Sequence, residues 1–317
     1  MGFLRIIYTN IMGWKVMRVD NMYKAILAMS KTDEALDKTV AYLAGHLTFL
    51  RPNEQVLLCY PDRKKGSIGW LFAQAIQRRG AAALWLNADR RWKSLLWQAF
   101  SSRASVIIGE PLVVLGLAKL AKYKRTPLYI RYAVTAGYPC HDWMLSAITR
   151  GLDCEVWGCF DPGGIVAGFS CPDSQGVHLR IEEYGFSVAE ATGELILSTK
   201  SEPMLSFPTG AVGTVVNVPC PCGGEEPRLL NISATAEDDP DLDEFRSMLQ
   251  NWSSILDCKV QRGQYGLEME LVVFPGEKLP KLPTCAKQTI RCWDPEEDVP
   301  FGMDFRWKIP DFSGEYH

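Results

Sequence analysis

Apolar residues recur along this chain in two rhythms, and the switch between them divides it. From Gln55 to Trp157, short apolar runs bounded by turn residues alternate with stretches of helical period. Gln55–Tyr60, Ala81–Leu86, Ser105–Ile108, Tyr129–Thr135 and Cys154–Trp157 read as strands. Ile68–Arg78, closed by Gly80, reads as a helix, as do Arg90–Phe100, Pro111–Ala121 and Trp143–Arg150. Thr32–Phe49 has the same period, with Thr32 as N-cap and Asp33 and Glu34 in the first turn. Strict alternation of strand and helix implies parallel strands joined by crossover helices. A short strand at Arg5–Tyr8 precedes these, running into a loop at Thr9–Gly13.

After about Gly163 the rhythm changes. Val177–Ile181, Glu194–Ser198 and Gly213–Val218 read as strands separated by polar turns, an antiparallel β-rich segment. A third block starts near Ala234. It has an acidic link at residues 238–243, a helix at Leu242–Trp252, and strands at Asp257–Gln261 and Leu267–Phe274. No internal repeat or low-complexity tract interrupts the pattern.

Composition narrows the function. The 317 residues suffice for two domains, or for one large domain with a small appendage. Hydrophobic residues make up 47%, enough for a large core, and the net charge is -3. That charge gives no reason to expect nucleic-acid or anionic-membrane partners. No apolar run approaches the roughly 18 residues of a spanning helix. Met1–Ile7 is too short for an export-signal core of about 7–15 residues. Ten cysteines without an export signal favour free thiols and metal over disulfides, and a cytoplasmic protein.

Four residues read as a metal site: Cys171 and His178, then Cys220 and Cys222 in Pro-Cys-Pro-Cys-Gly-Gly. Three thiols and one imidazole make a closed tetrahedral set for zinc. Pro221 stiffens the Cys-Pro-Cys turn, and Gly223 and Gly224 let it bend round an ion. With four protein ligands no position is left for water, so the zinc role is structural. Unrelated cysteines beside a surface histidine are the plainer alternative.

Several landmarks together resemble the adenylate-forming superfamily, and within it the phenylacetate–coenzyme A ligase-like branch. Gly193-Glu194-Leu195 resembles its Gly-Glu-Leu strand, and Phe207-Pro208-Thr209-Gly210 its Tyr-x-Thr-Gly-Asp motif. Trp157-Gly158-Cys159-Phe160-Asp161 stands where the family has Tyr-Gly-x-Thr/Ser-Glu, and Thr135–Pro139 where the branch has Gly-Ala-Glu-Pro. Tyr8–Lys15 stands where the family has a Ser/Thr/Gly-rich phosphate loop ending in Lys. The four-residue metal set is similar to a zinc site of that branch. The likeness runs from about Arg5 to Pro275. It implies an α/β fold: a parallel-sheet ligase-like body over 1–233, with a zinc-stapled β-rich segment at about 165–230. A small C-terminal α+β lobe over 234–317 completes it.

The resemblance implies nucleotide contacts at Thr9, Gly13, Lys15, Trp157, Gly158, Asp161, Thr209 and Gly210. The departures from the family are more informative. Ile11, Met12 and Trp14 crowd a loop that should cradle phosphates with bare amides. Ala211 replaces the aspartate that binds the ribose hydroxyls. Asp161 replaces the metal-coordinating glutamate and follows Phe160 instead of a hydroxyl residue. No Gly-Lys context matches the family's C-terminal catalytic lysine; Lys287 and Lys308 are poor matches. The stretch that family members carry before the phosphate loop is missing.

Two functions follow. The first is a diverged, non-catalytic protein that binds a protein partner or a small carboxylate or acyl ligand. The second is an active ligase that uses ATP, magnesium and coenzyme A to make an acyl-adenylate and then a thioester. Other motifs have plainer readings. Cys140-His141-Asp142 is a loop with an Asp142 N-cap, because adjacent residues cannot converge on one atom. Pro61–Gly66 and Ala88–Arg91 could offer basic side chains to a phosphate, but the plainer readings are a solvated turn and a helix start with exposed charge.

Overall fold

The computed structural model describes residues 19–292 apart from 87–90, 137–141, 172, 174–175, 201–203, 235–254, 264–265 and 274–286. The strand–helix alternation appears as expected. β1 (Gln55–Cys59), β2 (Ala82–Trp85), β3 (Val106–Gly109), β4 (Tyr132–Thr135) and β5 (Glu155–Phe160) pair in parallel in the order β2-β1-β3-β4-β5. The pleat sends alternate strand residues to opposite faces, and each face takes its own helices. Val56, Leu58, Val106, Ile108 and Val134 pack under α2 (Asp33–His46) and α3 (Ile68–Arg78). Leu57, Ile107 and Ala133 pack under α4 (Trp92–Ser102), α5 (Pro111–Tyr123) and α6 (Asp142–Leu152).

Local chemistry sets the helix ends. The Thr32 hydroxyl accepts from Ala35 N at 3.3 Å and Ser67 Oγ from Trp70 N at 3.2 Å, each filling an orphan N–H of a first turn. Pro111 opens α5, where its missing N–H costs nothing. Gly80 follows α3 with φ +74, a conformation that favours glycine.

The β-rich segment continues the same sheet. β6 (Gly168–Ser170) pairs antiparallel with β5. Beyond it the order runs through β7 (Val177–Leu179), β11 (Arg228–Ala234), β10 (Ser206–Val216), β9 (Glu194–Thr199) and β8 (Tyr184–Val188), giving eleven strands. A helix not expected from the sequence, α1 (Val19–Ser30), lies against β10. Its Ile26 joins a third core with Phe160, Ile165, Leu195, Leu197, Phe207 and Ala211. β10 begins seven residues before the expected Gly213. Phe-Pro-Thr-Gly lies within the strand as an irregularity between Pro208 and Val212 rather than before it.

Arg180 ties the two halves together. Its side chain is buried, donates to Thr39 Oγ1 of α2 at 3.0 Å, and lies over the rings of Tyr42 and Tyr184. A separate three-stranded sheet pairs β12 (Ile255–Gly263) antiparallel with β13 (Gly266–Val273). β13 in turn pairs in parallel with β14 (Lys287–Cys292). The expected strands at 5–8, the helix at 242–252, and Lys308 lie outside the described residues.

Candidate functional site

The four metal-ligand candidates come together although the chain brings them from three places. Cys171 follows β6, His178 sits in β7, and Cys220 and Cys222 occupy the turn between β10 and β11. Their donor atoms all lie within 4.8 Å of one another. Cys171 Sγ is 3.5 Å from Cys220 Sγ, and His178 Nε2 is 3.4 Å from Cys222 Sγ. With metal–sulfur bonds of about 2.3 Å, the edges of a tetrahedron are about 3.8 Å, so the donors need only small shifts to close on one ion. Cys171, His178 and Cys220 are buried, and Cys222 is exposed. These residues could hold a metal ion.

The turn's own bonds and glycines hold this arrangement. Gly223 N donates to Cys220 O, and Cys220 N to Gly224 O, both at 2.9 Å. Gly223 takes φ +89, which favours glycine. A Cβ on Gly224 would stand 2.6 Å from His178 Cε1, so that glycine leaves room for the imidazole.

Two surrounding residues escaped the sequence reading. Glu226 Oε2 lies 3.2 Å from His178 Nδ1. A proton on Nδ1 satisfies that carboxylate and leaves the Nε2 lone pair for a metal. The Glu226 carboxyl is held below its ordinary range by its own backbone N–H and by His178, against burial that opposes them. Arg228, buried in β11, donates to Cys220 Sγ at 3.5 Å and to Val218 O at 3.4 Å. Burial pushes the Cys220 thiol up, but hydrogen bonds from the Cys222 N–H, Cys171, Cys222 and His178 win and bring it down to about 7. Three other thiols behave in the opposite way. Cys59 and Cys159 are pushed up by burial, and Cys154 to about 12, so they stay protonated packing groups. The signal for Glu226 was its place four residues after Cys222. Choosing it over Glu225 required the folded course of the loop before β11.

The residues expected from the sequence to contact a nucleotide fall near the carboxyl ends of the parallel strands and in β10. The order β2-β1-β3-β4-β5 reverses direction between β1 and β3, where open α/β sheets form a ligand crevice. Tyr60 follows β1, and its buried hydroxyl donates to Ala136 O at 3.3 Å. Burial first, and then the negative charge of Asp161, push that phenol well up. Asp161 itself is buried just after β5. Gly158 N donates to Ser170 Oγ at 2.7 Å. The Trp157 ring is buried and packs against Phe49 and Phe169. Thr209 and Gly210 sit at the β10 irregularity. Thr209 Oγ1 donates to Leu195 O at 2.8 Å, and Gly210 N donates to Glu194 Oε1 at 2.7 Å. Ala211, next along, has no exposed surface. The structure thus brings the end of β5 beside β10, with Phe160, Ile165 and Ala211 in one apolar cluster. Thr9, Gly13 and Lys15 lie outside the described residues.

No protein-family model and no curated protein matches the chain. Solved structures do. A 2-hydroxyisobutyryl-CoA ligase in complex with R3-HIB-AMP aligns at 16% identity and TM-score 0.61, over 74% of this chain and 58% of its own. A benzoate CoA ligase from Burkholderia xenovorans LB400 aligns at 11% and 0.54, over 80% and 62%. An amide bond synthetase from Marinactinospora thermotolerans aligns at 14% and 0.52, over 80% and 62%. The chain spans about three-fifths of the length of these enzymes. Five parallel strands between two helical layers, continued by an antiparallel stretch, therefore form the adenylate-forming ligase fold in this chain.

Proposed function

We infer that this chain is a diverged, phenylacetate–CoA ligase-like protein that has given up ATP activation and uses its crevice to bind a ligand or a partner protein. One observation carries the reading: Ala211. The resemblance puts a ribose-binding carboxylate at this position, but here a methyl group is packed among Ile26, Leu195, Phe207 and Ile165. A site built to bond a hydroxyl loses strongly when its acceptor is deleted. The active-ligase reading has its own support. Thr209 and Gly210 are held in β10 by bonds to Leu195 O and Glu194 Oε1, Asp161 keeps a carboxylate after β5, and the similar 2-hydroxyisobutyryl-CoA ligase is in complex with R3-HIB-AMP.

Calorimetric titration with ATP and magnesium separates the two. The expected outcome is no binding at micromolar concentrations. Micromolar affinity, with pyrophosphate released on adding a carboxylic acid, would overturn the reading.

We assign one structural zinc to the Cys171, His178, Cys220 and Cys222 cluster, since three thiolates and an imidazole suit that ion. Metal analysis should find about one zinc per chain, lost when Cys220 and Cys222 become serine. Cys59, Cys154, Cys159, Cys171, Cys220, Cys222 and Cys292 are free thiols, which suits a cytoplasmic protein. We assign 1–233 to the ligase-like body and 234–317 to a small C-terminal unit, a division that falls at the last residue of β11.

A further inference from the structure

Three thiolates and a neutral imidazole around a divalent zinc leave the centre with one surplus negative charge. Cys171, Cys220 and His178 are buried, so water screens little of that charge. The register of β7 and β11 sets Arg228 opposite His178, beside the centre. Arg228 is 4% exposed, and its guanidinium reaches the Cys220 sulfur with one nitrogen and the Val218 carbonyl with another. A buried arginine is costly unless an opposite charge accompanies it, and a charged donor to a thiolate is a strong hydrogen bond. Among these contacts, Glu226 is directed at the imidazole and is half exposed.

We propose that Arg228 is the charge-balancing residue of the metal centre: its guanidinium neutralises the surplus thiolate charge, so tight zinc binding depends on it. The proposal rests on the zinc reading. It assigns Arg228 a role in metal affinity beyond tying β11 to the turn before it. The thiol protons displaced on metal binding go to solvent, and the guanidinium keeps its own.

The test compares zinc affinity, by competition with a chromogenic chelator, for the full chain and for Arg228→Gln and Arg228→Lys. Cobalt(II) absorption reports the geometry and the thiolate ligands. Arg228→Gln, which can still donate to Val218 O, should weaken zinc about 10–100-fold, and Arg228→Lys should recover most of that loss. The decisive background is Cys222→His, whose two thiolates and two imidazoles leave the centre neutral. There Arg228→Gln should cost only about threefold or less. Equal losses in both backgrounds would reduce Arg228 to packing and overturn the proposal. So would affinities within about twofold of the parent chain, since coupled groups show more than that. Should Arg228→Gln fail to fold, the same comparison runs on Arg228→Lys, whose affinity must then stay near the parent's. A parent chain that binds neither zinc nor cobalt removes the zinc reading itself, a result distinct from loss of the arginine effect.

Discussion

Glu194 shows how one charge can be kept at a cost to the fold. Its carboxylate accepts the Gly210 N–H where β10 departs from regular pairing. Burial raises its pKa above the ordinary 4.5, and the Gly210 bond only partly offsets this. A raised folded pKa means the contribution to stability is present below the unfolded value and lost as pH rises through the folded one. At neutral pH the folded state therefore carries an ionised group that it would hold more cheaply uncharged. Glutamine keeps an oxygen for Gly210 and drops the charge. Glu194→Gln should melt about 1–2 °C higher at pH 7, and the gap should close below about pH 4.5. Scanning calorimetry across pH reads it. A lower melting point at pH 7 would show that the charge itself supports this turn.

Helix packing offers a sharper test. Gly116 lies in α5 directly over Trp92, the largest fully buried side chain, and a Cβ there would overlap the indole. Alanine improves helix propensity by up to about 1 kcal/mol. Overpacking a rigid indole costs more, so Gly116→Ala should lose about 2 kcal/mol net in urea unfolding. Gly45, with nothing near its Cβ direction, is the control and should gain. At this scale the sequence was legible where packing is two-sided and periodic. β1, α3 and α5 lie where their apolar spacing puts them, because parallel strands and amphipathic helices carry strong patterns. β6, with three residues, is too short to leave a period. The Phe-Pro-Thr-Gly stretch of β10 reads as a break because proline and glycine normally end strands. The clustering of the four candidate ligands was legible because thiols and imidazole are rare and chemically specific. Glu226 and Arg228 were not, since ordinary charged residues come beside the cluster only through tertiary placement, Arg228 by the β7–β11 register and Glu226 by the loop before β11.

For the whole molecule, the consequence concerns where stability is stored. The parallel body holds two cores, one on each face of β1–β5, and the candidate metal ligands belong to neither. The ligands instead join β6, β7 and the β10–β11 turn, beside a third core that includes Val177, Leu179 and Leu229. Short strands such as β6 and β7 bury little surface of their own, and the proposed zinc would supply folding energy there. Removing the ion should therefore loosen one region rather than the chain. After treatment with a strong chelator, hydrogen exchange should rise first at residues 168–180 and 217–231. Amides of β1, β3 and β4 should keep their protection. Arg180 bridges the two regions through Thr39 and Tyr42. Loosening should therefore next reach α2, ahead of the α4–α6 face. Exchange that rises evenly over both regions would mean the sheet unfolds as one unit. Exchange that does not rise at all would mean the cysteine–histidine cluster contributes nothing to holding the antiparallel strands.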